Sequence, residues 1–111
     1  MLDLVTGISG SGPGYVFLLL EALEAAAREA GFAAPDARKL TLATFAGSVK
    51  LAQSSDTDFA TLRAQVTSKG GTTERGVAAL EAGDVRGVMK RCVQAATARA
   101  TEMGEQFGRE P

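Results

Sequence analysis

The residues Thr67-Ser68-Lys69-Gly70-Gly71-Thr72-Thr73-Glu74 bring hydroxyls, a cation, two adjacent glycines and a carboxylate together between two apolar helical patterns. Lacking Cβ atoms, Gly70 and Gly71 allow left-handed dihedrals and let a ligand come close to the backbone N–H groups. A helix start follows, with Gly71 or Thr72 suited to the N-cap and Glu74 where a capping-box carboxylate reaches back to the cap. The first turn of a helix has N–H groups without intrahelical partners and a partial positive charge, and both favour a carboxylate or phosphate. Thr72 and Thr73 add hydroxyls at that end. The stretch reads as an anion cradle, although the same spacing also fits an ordinary helix–helix turn whose glycines serve geometry alone.

The elements around it must hold it in place. Residues 1 to 12, with Gly7, Ser9, Gly10, Ser11 and Gly12, read as a loop or hinge. Gly10-Ser11-Gly12-Pro13-Gly14 does not make a dinucleotide fingerprint, because Tyr15 stands where the last glycine of G-x-G-x-x-G belongs. Pro13 instead opens a helix to about Ala30, with Ser11 or Gly12 as its cap. That helix is apolar nearly all round, with Glu21, Glu24 and Arg28 as its polar stripe, and reads as a buried central helix. Its apolar run is far short of the roughly 20 residues that span a bilayer. Gly31 supplies a left-handed C-cap, with Phe32 placed for the accompanying contact.

Pro35-Asp36 opens a second helix to about Gln53 that carries two apolar stripes, Leu40, Ala43, Gly47, Leu51 and Leu42, Phe45, Val49. Two stripes imply two covered faces, one of them against another chain, which Ala43, Ala46 and Gly47 would let approach closely. A polar loop from Ser54 to Asp58 leads to a short helix with Phe59, Leu62 and Val66, and that helix delivers the Gly-Gly loop. Beyond it, Val77 and Leu80 mark a helix stopped by Gly83. Asp84 then caps a last helix from about Val85 to Phe107, about 35 Å long, with Cys92, Met103 and Phe107 as core residues. That length also suggests a partner. No segment alternates with a period of two, so the expected fold is all-α, a bundle of about five helices.

Composition removes most other chemistry. At 111 residues the chain is one domain without room for separate cofactor and substrate domains. Its 12 basic and 13 acidic residues give a net charge of -1, too little field to steer nucleic acid or an anionic membrane. Without histidine there is no histidine triad or histidine-ligated metal, and the single Cys92 forms neither an intrachain disulfide nor a cysteine zinc site. An unpaired cysteine and an N-terminus lacking a basic, signal-like region point to the cytoplasm.

Two stretches, Ser9-Gly10-Ser11-Gly12-Pro13-Gly14-Tyr15 and Val66-Thr67-Ser68-Lys69-Gly70-Gly71-Thr72-Thr73, occur here at the separation found in a known family. From about Asp3 to Gly108 the chain resembles the C-terminal helical domain of pyrroline-5-carboxylate reductase. The resemblance implies a bundle interleaved with a second subunit to form a homodimer, five of which make a decamer in many members. It also implies reduction of the imine of 1-pyrroline-5-carboxylate to L-proline with NADPH or NADH bound by an N-terminal Rossmann domain. No such domain precedes Met1, so no cofactor is expected on this chain, which reads as an excised domain or one half of a split protein.

Carried onto these residues, the family's substrate loop falls on Ser68, Gly70, Gly71, Thr72 and Thr73. Backbone N–H groups around Gly71 to Thr73 would hold the substrate carboxylate, and the Thr73 hydroxyl would contact the ring nitrogen, which makes Thr73 the catalytic candidate. Two positions depart from the family: Lys69 stands where proline is common, and Gly14 where alanine is usual. The alternative is a helical dimerisation module of another Rossmann-linked reductase, or an interaction protein, whose loop binds no substrate.

Overall fold

The computed structural model describes residues 2–109, and of 107–109 only the backbone. The expected core role of the Phe107 side chain lies outside the described residues. In chain order the elements are α1 (Leu2–Val5), a π-helical turn (Thr6–Gly10), α2 (Gly12–Glu29), α3 (Ala34–Gln53), α4 (Phe59–Gln65), α5 (Thr72–Ala82) and α6 (Val85–Arg109). The five expected helices are α2 to α6, and there is no strand among the described residues. No described helix is long and apolar enough to cross a membrane. The chain forms two contact units, one of residues up to Phe17 with those from Ala79 onward, the other Leu18–Ala78.

In the first unit the Gly/Ser-rich lead-in, expected as a loop or hinge, is helical. The Ser11 N–H donates to the Thr6 carbonyl at 2.8 Å, the five-residue step of a π turn. The glycine here serves close approach rather than freedom. Gly7 is buried on α6, where a methyl group would collide with the Thr97 hydroxyl and lie 3.2 Å from both the Thr97 nitrogen and the Val93 carbonyl oxygen. The Tyr15 hydroxyl donates to the Gly7 carbonyl at 2.8 Å, and the Thr101 hydroxyl donates to Asp3 Oδ2 at 2.9 Å. The first bond ties the lead-in to the start of α2, and the second ties it to α6, 98 residues away in sequence.

The turn into α6 uses Asp84, as its sequence position suggests, but with a left-handed φ of 60°. Asp84 Oδ1 accepts the Gly87 N–H at 3.3 Å, and the Asp84 carbonyl accepts the Val88 N–H at 2.9 Å. Aspartate tolerates this dihedral better than most residues. A side chain at position 87 would collide with the capping carboxylate, so the glycine there is part of the cap.

In the second unit, α2 ends as expected. Gly31, at φ 118°, donates to the Arg28 carbonyl at 3.0 Å, and Phe32 donates to the Ala27 carbonyl at 3.1 Å. These are the two bonds of a Schellman cap. On α3, Ala37 is fully covered and Thr41, one turn on, is 4% exposed.

Among the described residues Ala37 is the sole buried hydrophobic side chain. The reading of α2 as a buried central helix is therefore corrected: Phe17 is 68% and Leu18 64% exposed. Both α3 stripes are open as well, through Leu40, Leu42, Val49 and Leu51, and the expected core residue Met103 on α6 is exposed while Cys92 is half-buried. The apolar pattern was read correctly, but within one chain nothing covers it.

Candidate functional site

The loop is delivered by α4, which opens on an acidic cap. Asp58 Oδ1 accepts the Thr61 N–H at 3.2 Å, and hydrogen bonding from Thr61 holds the Asp58 carboxyl below its ordinary range. At the other end of α4, Val66 donates to the Arg63 carbonyl at 3.2 Å and Thr67 to the Ala64 carbonyl at 3.1 Å. The chain then leaves the helix.

Ser68-Lys69-Gly70-Gly71 is a β-turn in which the Ser68 carbonyl accepts the Gly71 N–H at 2.9 Å. Gly70, its third residue, has a φ of 75°. A type II turn requires such a positive dihedral there, and favours proline at the second position, which Lys69 occupies. The Lys69 departure thus falls where proline would preset the turn.

Gly71 is the N-cap of α5, its carbonyl accepting the Arg75 N–H at 3.4 Å. The N–H groups of Thr72, Thr73 and Glu74 have no carbonyl within the helix to donate to, and no turn bond engages them. Thr72 and Thr73 are exposed and Gly71 is half-buried. The Gly71 N–H is already held by Ser68, so the open donors begin one residue later than the sequence suggests. Glu74 also differs in detail from a capping box: its Oε1 accepts from the Gly70 N–H at 3.2 Å, one residue ahead of the cap. The Ser-x-Gly-Gly order was the available signal for the turn, because only glycine fits its third position comfortably.

Ser68, Gly70, Gly71, Thr72 and Thr73 therefore lie together in one turn and one helix start. Unengaged N–H donors, the positive end of α5 and the exposed residue Thr73 thus fall within one short stretch. A separate surface groove of about 390 Å³ lies beside Phe32, Asp36, Lys39, Leu40 and Ala43 and contains none of these residues. Among the described residues no cluster of three His, Cys, Asp or Glu could hold a metal ion.

Fold and loop define an all-α domain that leaves its apolar helix faces open and carries a glycine turn with unengaged N–H groups at the start of α5. Residues 1–103 match the family described as pyrroline-5-carboxylate reductase dimerisation, and the chain belongs to that family. It is 39% identical over 107 residues to the pyrroline-5-carboxylate reductase of Pseudomonas aeruginosa, covering 96% of this chain and 39% of the relative. With the Synechocystis enzyme the identity is 42% over 106 residues, covering 96% and 40%. Among solved structures, Plasmodium falciparum pyrroline carboxylate reductase with NADP bound superposes with a TM-score of 0.90 at 34% identity, over 93% of this chain and 39% of that one. The Coxiella burnetii pyrroline-5-carboxylate reductase gives 0.87 at 39% identity, over 90% and 37%. The chain spans about two-fifths of the length of these relatives.

Proposed function

We propose that residues 1–111 act as one helical domain, the dimerisation and substrate-binding part of a cytoplasmic, NAD(P)H-dependent reductase that converts 1-pyrroline-5-carboxylate to L-proline. The start of α5 carries this reading: unengaged N–H groups of Thr72 and Thr73 at a helix terminus, beside an exposed threonine hydroxyl. The substrate is a carboxylate one carbon removed from an imine carbon–nitrogen bond. The two donors pin the carboxylate, while Ser68, Gly70 and Gly71 form the turn that aims them.

The Thr73 hydroxyl lies on the same turn and orients and polarises the imine nitrogen. It is too weak an acid to protonate that nitrogen alone. Nicotinamide held by the remaining part of the enzyme supplies the hydride. What this chain contributes is position, by fixing the imine carbon relative to the donor.

The open surface supports a dimer. Large apolar side chains, Phe17 and Leu18 on α2 and Leu40 and Val49 on α3, stand open to water, as faces made for a partner do. The exposed faces of α2 and α3 fit an obligate interface with a second copy, and five such dimers would form the family's decamer.

Light scattering across a concentration series should return at least twice the 11.4 kDa chain mass; a folded monomer would overturn the dimer. Joining this chain to the remainder of the Pseudomonas aeruginosa relative should give a protein that oxidises NADPH with pyrroline-5-carboxylate. In that chimera Thr73→Ala should lower kcat/KM by about tenfold or more, equivalent to roughly 1.4 kcal/mol of transition-state stabilisation. A folded, dimeric chimera that neither binds nor reduces the substrate would leave only a dimerisation module.

A further inference from the structure

We infer that Glu74 is a positioning residue for the substrate loop: by accepting the Gly70 N–H it locks the turn that aims the Thr72 and Thr73 donors. The inference rests on the substrate-binding reading above, and concerns a residue that would not itself touch the substrate. Four observations carry it.

The bond joins Glu74 Oε1 to the Gly70 nitrogen at 3.2 Å, across the N-cap, so it links the first turn of α5 to the loop ahead of it. Gly70 is the residue with the positive φ, 75°, on which the turn depends. Gly70 is exposed and nothing lies within 4 Å of an ideal Cβ there, so no packed neighbour fills the side-chain position. Finally, Lys69 leaves the second turn position without the fixed φ of proline. Two hydrogen bonds therefore define the turn, Gly71 to Ser68 within it and Gly70 to Glu74 across to the helix.

The assignment also determines which donors remain for a ligand. The Glu74 carboxylate takes the Gly70 N–H and the Ser68 carbonyl takes the Gly71 N–H, so the open donors begin at Thr72 and continue through Thr73 and Glu74. If the Glu74 bond were broken, Gly70 would recover its freedom and the direction of the next two peptide planes would vary. Substrate binding would then have to reorder the loop, and the ordering free energy would appear as weaker binding.

The test compares Glu74→Ala, Glu74→Asp and Glu74→Gln in the chimera, with wild-type turnover as reference. Alanine removes the acceptor, aspartate shortens its reach by one methylene, and glutamine keeps a carbonyl oxygen at the same distance. The expected result is a KM for pyrroline-5-carboxylate raised by about fivefold or more for Ala and Asp, near wild type for Gln, with the KM for NADPH unchanged in all three. A merely structural loss of helix capping would move both KM values or neither, and rescue by Gln separates a hydrogen bond from a charge effect. Wild-type KM in the Ala and Asp variants would overturn the role of Glu74 and leave the substrate-loop reading standing, as would a Gln variant as impaired as Ala. An inactive but folded wild-type chimera would instead overturn the reading on which the inference depends.

Discussion

At Gly7 a methyl group would run into the Thr97 hydroxyl and the α6 backbone, whereas at Gly70 nothing lies within 4 Å and the obstacle is the φ of 75°. The first glycine is required by what surrounds it, the second by what its own backbone must do. The two positions mark different uses of the chain. Around Gly7 the chain closes on itself, through the buried contact with α6 and the Tyr15 hydrogen bond. Around Gly70 it stays open, with exposed side chains and unengaged donors. One region is closed by its own packing, and the other is shaped by its own turn.

The largest effect is expected where there is no room. Gly7→Ala must displace backbone as well as the Thr97 side chain, and overpacking of this kind costs roughly 1–3 kcal/mol. Thermal melts of the chain should show Tm lowered by several degrees, while the active chimera should keep its KM for pyrroline-5-carboxylate. An unchanged Tm would mean that the lead-in is not docked on α6 and would erase the contrast with Gly70. The opposite pattern belongs to Gly70→Ala. An alanine at a left-handed φ costs about 1–2 kcal/mol, paid locally by the turn, so KM for the imine should rise with a smaller change in Tm. Equal stability losses from both substitutions, without a KM change at Gly70, would sink the division between a packing glycine and a conformational one.

That division also explains how much could be read in advance. The helices were legible because their signals are local: Gly31 after α2, Pro35-Asp36 at the head of α3, and Asp84 before α6 each act within one turn of chain. The lead-in was not, because its glycines looked like freedom, and only the position of Thr97, ninety residues away in sequence, shows that Gly7 is small in order to dock. Likewise the apolar faces of α2 and α3 were visible as stripes, but exposure is decided by which chains assemble, which periodicity alone does not state. At the loop, the glycine pair and the capping carboxylate were evident from residue types. That Glu74 binds Gly70 rather than the N-cap depends on the turn geometry, and no residue pattern fixes it to within one position.

Lys69→Pro sharpens the comparison from the stabilising side. Lys69 occupies the second position of the turn, where proline's fixed φ fits, and its N–H is not engaged in a turn bond. Restricting the unfolded chain there should add about 0.4–1 kcal/mol to stability. If Lys69 contributes only its backbone, KM for pyrroline-5-carboxylate should fall or hold. A rise in KM together with a higher Tm would show that the lysine charge assists the incoming carboxylate, and would make the loop a site tuned by charge as well as shape.

The smallest effect is a pH dependence confined to the open region. Hydrogen bonding from Thr61 stabilises the charged form of Asp58, so its folded pKa lies below the ordinary value of 3.8. A lowered carboxyl pKa contributes stability that is fully present above the unfolded pKa and is lost as pH falls through the folded one. Acidification through that window should therefore loosen the start of α4, the helix that delivers the loop, and Asp58→Asn should flatten the dependence while its side-chain oxygen keeps the cap. Amide exchange at Thr61, followed from neutral pH to below the carboxylate range, reads this locally. The Gly7 contact with α6 is made by packing, so faster exchange at Thr61 without a matching change at Thr97 would place the titrating support on the loop side alone. Simultaneous loss at both positions would mean that the two regions melt as one unit, and that their difference lies in mutational chemistry rather than in independent stability.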